Sequence, residues 1–160
     1  MKLSFHGADR DVTGSCHLVE CAGRMPGDFI VPLIDRAWGI DSLALILDVM
    51  RGEAIDQELP REPRGGAAIR YLHALPGQVS EITGLDDARR VSGVVDAHVT
   101  VGSGDSVSAL RSSWDRTGFV IAHAARADAA MCLAAKAAAM IKIETGADDA
   151  GSSHRARTAA

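Results

Sequence analysis

An α+β fold with antiparallel strands is what this sequence predicts, on three observations. Two short β-patterned segments joined by a tight connection open the chain. Two short segments with apolar residues at helical spacing follow. Beyond a proline-containing connector, strand-like and helix-like segments alternate irregularly. The order reads as an antiparallel hairpin plus two helices, followed by a mixed strand and helix C-terminal lobe, and the sequence shows no internal repeat.

Lys2 to His6 is the first strand, the polar run Gly7 to Ser15 a turn, and Cys16 to Cys21 the second strand. From Asp28 the period changes. Phe29, Ile30, Leu33, Ile34 and Trp38 fall on one helical face, with Asp28 as N-cap and Gly39 as stop. Asp41 caps a second helix carrying Leu43, Leu45, Ile46 and Met50, which Gly52 ends. Residues 53–66 hold Pro60, Pro63 and Gly65-Gly66 without an apolar period, and so form a linker between 1–52 and the lobe at 67–145. In that lobe Ala67 to Leu75, Val79 to Ile82, Gly93 to Val101 and Phe119 to His123 read as strands. Asp86 to Val91 gives one or two helical turns, and Gly104-Asp105 a turn. The alanine-rich run Ala127 to Met140 predicts a helix with Met131, Leu133 and Ala137 to Met140 as its apolar stripe. Ile141 to Glu144 is a last edge strand, and residues 146–160 are a polar, disordered tail.

The 160 residues carry 17 Lys and Arg against 21 Asp and Glu, a formal charge of −4. Nucleic acid and anionic membrane surfaces are poor partners for that balance, because both are held by a basic footprint. Six aromatic residues give little stacking surface for single strands. Cys16, Cys21 and Cys132 are an odd number with no secretory h-region, and no apolar run is long enough to span a bilayer. A cytoplasmic location is the expectation.

The chemistry concentrates between Leu18 and Asp28. If Cys16 to Arg24 is extended, Glu20, Ala22 and Arg24 share one face and His17, Val19 and Cys21 the other. A carboxylate and a guanidinium separated by one methyl leave room for a third charged body. Glu20 could hold a hard divalent cation, and Arg24 could fork onto a phosphate or carboxylate. Met25-Pro26-Gly27 then feeds a helix opening, whose free N–H groups favour an anion. A solvated Glu–Arg ion pair is the plainer alternative on pattern alone.

Glu20-Cys21-Ala22-Gly23-Arg24 resembles the last catalytic motif of the ATP-grasp ligases in its E-x-A-x-R form, found in the branch that joins amino acids to one another. Pro26-Gly27-Asp28 resembles the substrate loop of that branch, and Ala37-Trp38-Gly39-Ile40-Asp41 its A-x-G-I-D helix junction. The stretch from Ala67 to Glu144 is similar to the C-terminal domain of L-amino acid ligases. The resemblance implies that residues 1–52 are a partial ATP-grasp catalytic segment. It further implies Glu20 as a magnesium ligand, Arg24 as the catalytic stabiliser of phosphoryl or acyl-phosphate oxygens, and Met25, Pro26, Gly27 and Asp28 as substrate-binding residues, with ATP and magnesium as cofactors. The expected function is the C-terminal part of a carboxylate–amine ligase, incomplete alone, working with an N-terminal ligase partner chain. The alternative is a non-catalytic module, homo-oligomeric, that binds a small amino-acid-like ligand. Two departures bear on activity. His6-Gly7-Ala8 stands where the family has H-x-E, and Asp9 is one residue out of register. The nucleotide-holding half is also not represented, and the lysines are only Lys2, Lys136 and Lys142.

Other signals are weaker. His17 with Cys16 and Cys21 lacks zinc spacing, and Gly102-Ser103-Gly104-Asp105 reads as a hairpin turn and not a phosphate loop. Arg111, Ser112, Ser113 and Arg116 around Trp114 read as a solvated loop, an anion or partner patch being the alternative. Cys132 reads as a buried small hydrophobe.

Overall fold

The computed structural model describes residues 26–54 and 60–146. The opening hairpin, the Glu20 to Met25 part of the motif, the middle of the linker and the tail lie outside the described residues. Element order is α1 (Ile30–Trp38), α2 (Ser42–Arg51), β1 (Gly66–Leu72), β2 (Gly77–Thr83), α3 (Leu85–Arg90), β3 (Val94–Val99), β4 (Ser106–Val107), β5 (Gly118–Ala124), α4 (Ala127–Met140) and β6 (Lys142–Gly146). One turn of 3-10 helix at Ser113–Asp115 precedes β5. The α+β class with antiparallel strands is as expected, every described strand pair being antiparallel.

Local chemistry sets the ends of the helix pair. Gly39 closes α1 and Gly52 closes α2, both left-handed, the conformation glycine reaches at least cost. Asp41 caps α2 by accepting from the Ala44 N–H at 2.9 Å, and Asp35 accepts from the Ser42 N–H at 2.9 Å across the corner. The expected cap of α1 is different. Phe29, not Asp28, holds the N-cap position, and it makes no side-chain cap; the Asp28 carboxylate is engaged elsewhere, as described below.

Two three-stranded sheets form the lobe, in the orders β1-β5-β3 and β4-β2-β6. β5 is the central strand of the first, and Gly118 to Ala122 are buried in unbroken sequence, as a strand covered on both faces requires. One face carries Ala68, Leu72, Val120 and Ala122, and on it lie Ala130, Ala134 and Ala137 of α4 with Ala88 of α3. Small side chains let α4 come close: a Cβ on Gly66 would overlap the backbone of Arg126 and Ala127 at the start of α4. The other face carries Phe119, which meets Phe29 at the entry to α1.

Two expectations for α4 are corrected. Its buried stripe is Ala130, Ala134 and Ala137, whereas Met131 points to solvent. Cys132 is exposed, not a buried hydrophobe, because the alanine stripe occupies the face turned to the sheet. Gly102 to Asp105 do form a turn, with the Asp105 carboxylate accepting from the Gly102 N–H at 2.7 Å, but not the expected hairpin, because β3 and β4 on either side of it lie in different sheets. The end of the linker docks on α1, where the N–H groups of Arg64 and Gly65 both donate to the Ala37 carbonyl.

Candidate functional site

Pro26, Gly27 and Asp28, the described part of the motif, form the exposed turn that enters α1. Asp28 and Phe29 are consecutive non-glycine residues in the left-handed region, at φ 55° and 61°. Such a pair stores about 1–3 kcal/mol per residue and persists where surrounding contacts hold it. Four contacts hold this one. The Asp28 carbonyl accepts from the Tyr71 hydroxyl at 2.7 Å. The Asp28 carboxylate pairs with the Arg116 guanidinium at 3.2 Å. The guanidinium carbon of Arg116 lies over the Tyr71 ring, 3.8 Å from its centroid. Phe29 packs on Phe119 with ring centroids 4.3 Å apart.

Each partner is placed by the lobe. Tyr71 comes from β1, Phe119 from the start of β5, and Arg116 from the segment between the 3-10 turn and β5. Burial raises the Tyr71 pKa, and the nearby Asp28 carboxylate raises it further, against a smaller opposing pull from Arg116. The phenol is therefore held as a donor. The loop behind Arg116 is itself capped: the Asp115 carboxylate accepts from the N–H groups of Arg111 and Ser112 at 2.9 and 2.7 Å, and these bonds hold its pKa below the usual carboxylate range.

The opening of α1 offers few donors for an anion. The Ile30 N–H bonds the Gly27 carbonyl, the Leu33 N–H bonds the Phe29 carbonyl, and Pro32 has none. Val31 is the one first-turn N–H left over among the described residues. Glu20, Arg24 and Met25 are outside the described residues, so how they face this turn is not part of the geometry. Among the described residues no cluster of three or more His, Cys, Asp and Glu could hold a metal ion, and no helix is long and apolar enough to cross a membrane. Sequence reasoning missed Tyr71 and Arg116 as partners of Asp28 and Phe119 as the partner of Phe29, since no local spacing links them.

Residues 70–146 match the family model of L-amino acid ligase C-terminal domain 2. The C-terminal lobe is similar to that domain over just under half of the chain. Two solved structures share the fold over most of the chain. One is phosphoribosylglycinamide synthetase from Anaerococcus prevotii, at 16% identity and a TM-score of 0.60, covering 74% of this chain and 30% of that one. The other is an L-amino acid ligase from Bacillus licheniformis, at 14% identity and a TM-score of 0.62, covering 72% and 29%. The resemblance to the C-terminal portion of ATP-grasp ligases is thus shown over part of the chain, which spans less than a third of either structure's length. No curated protein sequence matches it.

Proposed function

We propose that this chain serves as the C-terminal part of an ATP-dependent carboxylate–amine ligase acting on amino acids. A substrate carboxylate oxygen attacks the terminal phosphorus of ATP and ADP leaves; an amine then attacks the acyl carbon, phosphate leaves and an amide forms. Arg24 stabilises the negative oxygens that develop in both steps. Met25, Pro26, Gly27 and Asp28 shape the substrate pocket. Glu20 has the oxygen donor chemistry of a magnesium ligand; a bound ion there would neutralise phosphate charge. The adenine- and triphosphate-holding elements come from further polypeptide, in cis or in trans.

One observation carries this reading. The turn that continues the Glu20 to Arg24 motif is clamped, in a strained conformation, by Tyr71, Arg116 and Phe119, and those residues lie within the stretch that matches the ligase domain. The lobe then acts as a brace that keeps the loop in one shape for a positioned substrate. The test is ADP and phosphate release by the chain mixed with a candidate nucleotide-binding partner, with amino acids and magnesium. Release that needs amino acids and is abolished by Glu20→Ala supports the proposal. No complex and no release sinks it.

A second reading, a non-catalytic homo-oligomeric binding module, is favoured by a specific feature. None of the described residues in α1 and α2 is buried, and Leu43, Leu47, Val49 and Met50 of α2 are exposed. An apolar helix face of this kind suits a second subunit. Calorimetry separates the readings: micromolar binding of Mg-ATP by the isolated chain excludes the module, and a stable dimer that ignores nucleotide favours it.

A further inference from the structure

Two cavities meet at the Tyr71–Arg116 stack. The first, of about 490 Å³, is lined by Arg70, Arg111 and Arg116 with His73 and has no carboxylate in its wall. It touches Ile69, Arg70 and Tyr71 in succession. Successive strand residues point to opposite faces, so this cavity runs along the edge of β1, the edge strand of its sheet. The second, of about 540 Å³, is lined by Phe29, Tyr71, Trp114 and Phe119. Those are four of the chain's six aromatic residues. Tyr71, Ser113 and Arg116 belong to both walls.

The charges in the first cavity are poorly matched within the chain. Arg116 is paired with Asp28, but among the described residues Arg70 and Arg111 have no carboxylate partner. On the loop, Asp115 gathers two backbone N–H groups and the Ser112 hydroxyl on its Oδ2, and it forms no ion pair with Arg111 among the described residues. A positive recess without an internal acid, in a chain of net charge −4, is complementary to an oxyanion, which guanidinium groups bind by paired, charge-assisted hydrogen bonds. In the second cavity Trp114 is 93% exposed, yet its turn is fixed by a full capping box between Ser112 and Asp115. A large apolar ring left in water on a backbone turn that is itself fixed is open to a ligand.

We propose that the two cavities form one groove for a small molecule with an aromatic body and an oxyanion head, carboxylate or phosphate. The head sits among Arg70, Arg111 and Arg116, and the body lies between Trp114 and the Phe29–Phe119 pair. Of Pro26, Gly27 and Asp28, the described residues expected from sequence to bind substrate, only Asp28 lines this groove, and the proposal rests on neither Glu20 nor Arg24. The proposal therefore stands or falls apart from the ligase reading.

The chain has two tryptophans, so its indole N–H region holds two resonances, assigned with Trp114→Phe. The full chain is titrated with phenyl phosphate, N-acetyl-L-phenylalanine, inorganic phosphate and benzyl alcohol. Saturable movement of the Trp114 resonance with Trp38 unmoved is expected for the first two, at affinities at least tenfold above those for phosphate or benzyl alcohol alone. The tighter of the first two identifies the head group. Arg111→Ala, at an exposed position, weakens both by at least tenfold, and Arg111→Lys recovers part of the loss. A Trp114 resonance that ignores both aromatic anions, equal binding of benzyl alcohol, or an unchanged Arg111→Ala variant overturns the proposal.

Discussion

The helix pair α1–α2 and the helix α4 invert what periodicity suggests. The first two carry broad apolar faces and bury no residue, whereas α4, with alanine at eight of its fourteen positions, supplies three buried positions of the core. An apolar stripe states that a face needs a partner, but only a surface shaped to receive it turns that need into burial. α4 has such a surface, because Ala68 and Ala122 of the sheet and Gly66 beneath its first turn let two backbones approach. α1 is held instead by a few specific contacts around Asp28 and Phe29.

The largest effect comes from spoiling that close approach. Gly66→Ala puts a methyl group into the backbone of Arg126 and Ala127, which no side-chain rotation relieves. The expected loss is about 3 kcal/mol, at the upper end for overpacking, read as a lower urea midpoint for the whole lobe. A variant as stable as the parent would mean that α4 sits farther from β1 than described.

Next comes one truncation made in both regions. Val120→Ala empties space in the middle of β5, where the side chain is fully buried, and costs about 2 kcal/mol in transfer and cavity terms. Val49→Ala on α2, where the side chain is 58% exposed, stays within about 0.5 kcal/mol. Equal losses would show that α2 is covered in solution, which supports the homo-oligomeric reading.

This contrast also explains how much was legible in the sequence. Gly39, Asp41 and Gly52 act within a turn of their own positions, so the ends of α1 and α2 could be read directly. The lobe's strands could be located, but not the β1-β5-β3 order, since nothing local in Ile69 or Ile121 says they face each other. Asp28 has the chemistry of an N-cap and was expected to be one; Arg116 and Tyr71, brought in by the tertiary fold, take its carboxylate and carbonyl instead. Met131 and Cys132 were misplaced because an alanine helix gives no contrast between its faces. Of the candidate site, Pro26, Gly27 and Asp28 are seen together in one turn, and the partners that clamp it come from the lobe.

The smallest effect isolates that clamp. Tyr71→Phe removes the donor to the Asp28 carbonyl and keeps the ring under Arg116, so the expected loss is about 1 kcal/mol. It falls on the turn and α1, not the sheet: hydrogen exchange speeds up in α1 while β5 amides are unchanged. The same bond carries a pH signature. The folded phenol's pKa lies above its ordinary value of 10.0, so its contribution is complete below that value and disappears as pH rises through the higher folded pKa. Alkaline titration should therefore loosen α1 in the parent chain and leave Tyr71→Phe unaffected. If both respond alike, the turn is held by Phe29 and Arg116 alone.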